Sequence, residues 1–330
     1  VLVVNEPALA EAIRRLRGEW AERSGCTLTA SASTWAELVG EKSIGADLVV
    51  FPSRYLGELC VRGWLRPVRS NVLESEHLAA ADFFPLVRHV LVSWGGQVMA
   101  LPLGVELPYP GISMAERPAL AFLAQAAPKA VSKERFGVLF DSETMRPRIA
   151  ESPFVEVLVR LGDSKNSRAA SLESTGGPLV PVLGYSDRLA AVTSSSRNAA
   201  SAFRLLEWLA LAETSAELAR AGSGTMPVRQ SLASSPAWYG PQFTASERIE
   251  LGKVLQATLS QRECLLIPRV PGVDEYMVAL DQAVRDALAG NLAPQAALET
   301  TARRWERITD AHGRIAQRRA YLKHLGVSKP

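Results

Sequence analysis

The sequence predicts an α/β protein of two domains, and three observations carry this. The chain has 330 residues, enough for two domains at roughly 150 residues each. Its first third alternates short, continuously apolar runs with amphipathic stretches, the pattern of a parallel sheet covered by helices. Gly- and Pro-marked crossings then interrupt it at Gly104, near residues 184–187 and at residues 224–227. These crossings predict two discontinuous lobes, 1–104 plus 188–222 and 105–187 plus 223–330.

Leu2–Val4 is an apolar run and predicts a buried strand, which Asn5, Glu6 and Pro7 break to open a helix. Leu9, Ile13, Leu16 and Trp20 then line one helical face, and Gly25 stops it. Residues 27–32 alternate like a strand, 47–51 form a buried strand, and 55–63 a helix behind it. Residues 97–102 predict another strand, running into the Pro-rich crossing at 103–110. The segment from Pro110 to about Gly184 is smaller and rich in Pro and Ser. Its clearest strands are 136–140 and 179–184, and 165–177 reads as a surface loop. After 189–192, serines 194–196 precede a strong helix from Asn198 with Phe203, Leu206 and Leu209 on its core face. Tyr276, Leu280, Ala283 and Ala287 form a later periodic face that Gly290 closes. Pro294 opens the next helix, where its missing N–H costs nothing. Leu298, Ala302, Trp305 and Ile308 are its inner side, with Trp305 a core residue.

Composition excludes several functions. Hydrophobic residues make up 47% and charged residues 22%, as in soluble globular proteins. Lys+Arg 37 against Asp+Glu 34 leaves +3, too balanced for a nucleic-acid partner. The basic tail of Arg314, Arg318, Arg319, Lys323 and Lys329 reads as a solvated helix face and end. Cys26, Cys60 and Cys264 are too few for a disulfide scaffold; Cys60 and Cys264 read as small core residues, and the sequence places no bridge. No run reaches the length of about 18 apolar residues that a membrane span needs. The opening ValLeuValVal carries no visible signal peptide and reads as a mature or trimmed chain. His77, His89, His312 and His324 are scattered without metal-ligand spacing. No Gly-Lys-Ser/Thr phosphate loop occurs, no GxGxxG follows a strand, and the Gly-rich 222–225 follows a helix. Residues 184–188 set Ser beside Asp but lack the second glycine of a nucleophile elbow. No catalytic residue, metal or cofactor is therefore expected.

The order of the C-terminal segments is more specific. Residues 196–209, 222–229, 269–284 and 300–309 give helix, short Gly/Pro crossing, helix, Pro-marked loop and helix pair. This order resembles the extracellular (periplasmic) solute-binding proteins of ABC importers, in particular the carbohydrate-binding family 1. The resemblance covers roughly 1–110 and 185–310; the middle, about 111–180, resembles little and is shorter than that family's second lobe. It implies an α/β, two-lobe periplasmic-binding-protein type II fold with an interlobe cleft. The implied function is capture of a small polar ligand, a saccharide, for delivery to an ABC permease. A monomer, in the periplasm or otherwise extracytoplasmic and possible to anchor by lipid, is implied as well. The shortened second lobe keeps a second function open: a sensor or scaffold module on the same fold with a degenerate cleft.

In that family ligands sit where strands end and helices begin. The resemblance places Asn5 and Glu6 after the first strand, and Ser33 and Trp35 after the second, beside Ser31 and Thr34. After the third, Ser53, Arg54 and Tyr55 occupy the place of an acidic–Arg–aromatic triplet, with Ser in place of the acid. Residues 100–106 resemble the first interlobe crossing and end in Glu106. Its carboxylate can accept sugar hydroxyls while Arg54 donates; both also fit ordinary surface roles. Tyr276 and Met277 fall where sugar binders present an aromatic platform, although Met277 is no flat ring and the spacing of Tyr276 suits a core residue. Tyr109, Tyr185 and Trp238 lie near crossings, where each can stack on a sugar or pack at a junction. The cluster 237–241 around Trp238 reads as a rim or lid.

Overall fold

The computed structural model describes residues 1–106, 115–131, 137–164, 180–219, 225–239 and 243–327. The chain divides into two compact units, Val1–Glu106 with Gly184–Ser260 and Leu107–Leu183 with Gln261–Pro330. The strands among the described residues are β1 (Leu2–Val4), β2 (Ser31–Ser33), β3 (Leu48–Pro52), β4 (Ser93–Trp94), β5 (Gln97–Val98), β6 (Leu101–Gly104), β7 (Val182–Leu183), β8 (Arg188–Val192) and β9 (Leu265–Leu266).

The first unit is built on a sheet of order β2-β1-β3-β8-β6. β1 runs parallel to β2 and β3, whereas β8 is antiparallel to both β3 and β6. The sheet is thus mixed rather than all-parallel. The chain returns to this unit at the end where β3 and β6 finish, so β8 must run back between them. Every residue of β3, β6 and β8 is buried, as expected of central strands covered on both faces. Helix Pro7–Arg15 buries Leu9, Ala10 and Ile13, and Gly25 at φ +68° ends the following helix, Arg17–Ser24. Helix Ala199–Leu209 buries Phe203, Leu206 and Leu209, the face that periodicity marks.

Two sequence expectations change here. The strand expected at 97–102 divides in two: β5 folds back on β4, and only β6 joins the sheet. Gly95 and Gly96, at φ +59° and +79°, supply the tight hairpin turn. Residues 225–239 and 243–260 group with the first unit rather than beginning the second at 223. Val105 and Met226 exchange backbone hydrogen bonds of 3.0 and 2.7 Å, and the Phe84 N–H donates to the Val228 carbonyl at 3.0 Å. A Cβ on Gly104 would lie 2.3 Å from Thr225 Oγ1, so this close approach requires glycine.

In the second unit β7 pairs in parallel with β9. Helices Pro118–Ala130, Ser152–Ser164, Val273–Ala289, Pro294–Ala311 and Arg314–His324 supply most of its apolar surface. The strand expected at 136–140 is absent from its described part, 137–140; Phe140 makes only an isolated bridge to Pro147. Its ring is drawn instead into an aromatic cluster, with centroids 5.3 Å from Tyr276, 5.1 Å from Trp305 and 5.7 Å from Tyr321. Residues 165–177 lie outside the described residues.

Candidate ligand-binding site

The ends of β1, β2, β3 and β6 and the start of β8 share one edge of the first unit's sheet, since β8 alone is reversed. The topology therefore gathers Asn5, Glu6, Ser33, Trp35, Ser53, Arg54, Tyr55, Glu106 and Tyr185 at that rim. Asn5 leaves β1 at φ +62°, a region where Asn is tolerated better than most residues. Its N–H donates to the Ser33 carbonyl at 2.8 Å, and its Oδ1 accepts the Trp35 N–H at 2.9 Å. The first two loops are thereby tied together. Thr34 caps helix Trp35–Val39 in a reciprocal box with Glu37. The Thr34 backbone N–H, then the Ser33 and Thr34 hydroxyls, hold the Glu37 carboxyl below its ordinary range. The Ser33 hydroxyl donates to Glu37 at 2.9 Å and so belongs to this cap.

The third loop forms a stack. The Trp35 and Tyr55 rings lie parallel, 3.8 Å apart at 6°. The Arg54 guanidinium sits 4.4 Å from the Tyr55 ring centre and 4.6 Å from that of Tyr185. It donates to the Tyr55 hydroxyl at 3.0 Å and the Tyr185 carbonyl at 3.3 Å. Arg54 thus braces two aromatic rings, more than the simple donor fork expected of it. Trp35 and Tyr185 are half-buried, whereas Tyr55 is 2% exposed. Trp35 and Tyr185 are the rings of this stack with surface left for a ligand.

Asp187 holds the loops in place. Fully buried, it accepts the Ser53 hydroxyl at 2.8 Å and the Gly184 N–H at 2.7 Å through Oδ2, and the Glu106 N–H at 3.0 Å through Oδ1. Its carbonyl also accepts the Ser53 N–H at 2.7 Å. Ser53, which stands where the resemblance expects an acid, meets a carboxylate supplied by the 184–187 turn. Arg188, next in sequence, is ion-paired with Glu6. Sequence reasoning missed both residues as site components. The available signals were an acid three residues after a turn glycine and an arginine heading an otherwise apolar strand.

Three expected site residues lie elsewhere. Tyr276 is 3% exposed in the second unit; its hydroxyl meets that of Thr309 at 2.9 Å, and its ring packs against Phe140 and Trp305. Burial pushes its phenol up to about 12, the Thr309 bond opposing this in part. Met277, 4% exposed, is buried on the same helix. Neither offers a platform, because helical periodicity turns both into the core. Trp238 is 4% exposed and donates to the Thr225 carbonyl at 3.0 Å. Its segment is the short helix Pro236–Tyr239 rather than an open rim, and the Tyr239 hydroxyl is likewise buried on the Ala233 carbonyl at 2.6 Å. Tyr109 lies outside the described residues.

Among the described residues Cys26, Cys60 and Cys264 form no disulfide. Among the described residues no three His, Cys, Asp or Glu side chains are grouped to hold a metal ion, and no helix is long and apolar enough to cross a membrane.

No protein-family model matches the chain, and no curated protein sequence does. Solved structures do. The sugar-binding protein MalE from Xanthomonas citri superposes with a TM-score of 0.69 at 14% identity, over 96% of this chain and 98% of that one. The GacH receptor of Streptomyces glaucescens, solved unliganded and with acarbose, gives 0.62 at 12%, over 96% and 98%. A solute-binding protein of an ABC transporter from Thermotoga lettingae, bound with α-D-tagatose, gives 0.62 at 13%, over 93% and 98%. The chain has the α/β periplasmic-binding-protein fold, and these structural neighbours are binding proteins.

Proposed function

We propose that the protein is a non-enzymatic solute receptor, which binds a neutral saccharide or polyol at the rim of the first unit's sheet and delivers it to an ABC permease outside the cytoplasm. One observation carries this reading: five chain segments converge on one rim and bring together aromatic faces, acceptors and a braced guanidinium. A sugar has an apolar ring face and a hydroxyl edge. Trp35 and Tyr185 suit the face; Asn5, Glu6 and Glu106 suit the hydroxyls. Support comes also from the fold, whose solved examples hold maltotetraose, acarbose, α-D-tagatose and ribitol.

Calorimetric titration with those four compounds tests the reading. Saturable heat with at least one is expected; silence with all four, and no thermal shift, would contradict it. One feature favours the sensor or scaffold alternative: Arg54 is already sandwiched between Tyr55 and Tyr185. That alternative predicts no binding and an undiminished fold.

A further inference from the structure

Arg188 heads β8 at the same rim, paired with Pro52 of β3 and Gly104 of β6. Its side chain is fully buried. Nη2 donates to Glu6, whereas Nε and Nη1 are buried and meet no acceptor among the described residues. Such a guanidinium is a poor stabilising device. It gives up its hydration and regains only one ion pair. The rest of the strand, Leu189 to Val192, is apolar and fully buried, so a methionine at 188 would serve the core as well.

What Arg188 does control is Glu6. Glu6 is the N-cap residue of helix Pro7–Arg15, yet its side chain makes no capping bond. Its carboxylate reaches across β3, which lies between β1 and β8, to the arginine. The pair engages one carboxylate oxygen, and the Glu6 side chain stays 26% exposed while Arg188 is 0% exposed. The arginine is therefore out of a ligand's reach, and the glutamate is within it.

We infer that Arg188 is a positioning residue, which holds Glu6 in one orientation as the acceptor for ligand hydroxyls. This rests on the saccharide reading above. A glutamate fixed before the ligand arrives loses no rotamer freedom on binding, which explains why a costly buried cation stands in an apolar strand.

The test compares wild type, Arg188→Met, Arg188→Lys, Glu6→Gln and the double variant. It uses calorimetry with maltotetraose, acarbose, α-D-tagatose and ribitol, thermal melting, and the NMR resonance of the Arg188 Nη2–H. For whichever probe wild type binds, Arg188→Met should weaken affinity at least tenfold and Arg188→Lys should restore part of it. In the Glu6→Gln background, Arg188→Met should cost nothing further. Glu6→Gln should lower Tm more than Arg188→Met, because it strands a buried cation, and the double variant should recover it. Equal affinity in wild type and Arg188→Met, or the same loss in both backgrounds, overturns the positioning role while leaving the saccharide reading intact. An Nη2–H that exchanges at the solvent rate, or fails to move on Glu6→Gln, overturns the pair itself. A wild type silent to all four probes removes the saccharide reading and the orienting role together, even with that resonance in place.

Discussion

The rim of the first unit and the aromatic cluster of the second use the same residue types for opposite ends. In the cluster, Phe140, Tyr276, Trp305 and Tyr321 are all buried and meet edge to face, apart from the stacked Phe140–Trp305 pair, at centroid distances of 5.1–5.7 Å. Their polar atoms are satisfied inside: the Trp305 Nε1–H donates to the Tyr276 carbonyl at 2.8 Å. At the rim, Trp35, Tyr55 and Tyr185 stand at strand ends: Trp35 stacks on Tyr55, the Arg54 guanidinium lies over Tyr55 and Tyr185, and Trp35 and Tyr185 stay half open. The aromatic residues at helical spacing thus pack inside, whereas Trp35 and Tyr185 at strand ends keep ring surface open.

This contrast can be broken first by stability. Trp305→Ala should cost about 3–5 kcal/mol, as for other large buried aromatics, and leave probe affinity unchanged in the folded protein; urea denaturation measures the first. Asp187→Ala should cost about 2–4 kcal/mol, since it strands the Ser53, Gly184 and Glu106 donors in a buried place. Unlike Trp305→Ala it should also weaken saccharide binding, because the loops it ties carry the proposed site. A variant that loses stability but keeps wild-type affinity would show that the rim does not need its hub.

A smaller effect separates the units by pH. His324 is buried, and its pKa lies well below the ordinary value of 6.5, first through lost hydration and then through neighbouring Arg269. In the unfolded chain it takes up a proton below about 6.5, and in the folded chain it does not. Stability should therefore be full above that pH and fall on acidification, by at most about 1.4 kcal/mol per pH unit. Asp141, held at about 2 chiefly by the hydroxyl and N–H of Thr144, adds its own loss in the same direction at lower pH. His324→Leu should flatten the melting temperature between pH 5 and pH 6.5, a range set by the ordinary histidine pKa. An unchanged slope would assign the acid sensitivity elsewhere.

Much of the fold was legible because period and punctuation agree. Leu9, Ile13, Leu16 and Trp20 are all buried, although the run divides into two helices at Leu16, and Gly25 and Gly290 end their helices as expected, both in the left-handed conformation. The split of 97–102 was not, because the Gly95–Gly96 hairpin turn lies just before the run and the run itself carries no breaker until Pro102. The rim was legible only in its loops. Asn5, Trp35, Arg54 and Tyr185 stand out beside breakers and strand ends, whereas Asp187 acts through hydrogen bonds to residues 53 and 106, far away in the chain. Tyr276 was legible in the other sense: its helical spacing already pointed into the core.

The most direct measurement sets the two regions against each other with one ligand. Calorimetry with a saccharide that wild type binds would be repeated on Trp35→Ala at the rim and Tyr276→Phe in the cluster. The expected result is at least a tenfold loss for Trp35→Ala, the value of about 1.4 kcal/mol that a stacking face supplies. Tyr276→Phe, which removes only the bond to Thr309, should lower stability by about 1 kcal/mol and leave affinity as it was. Wild-type affinity in Trp35→Ala, or a loss confined to Tyr276→Phe, would contradict the assignment of the ligand to the rim.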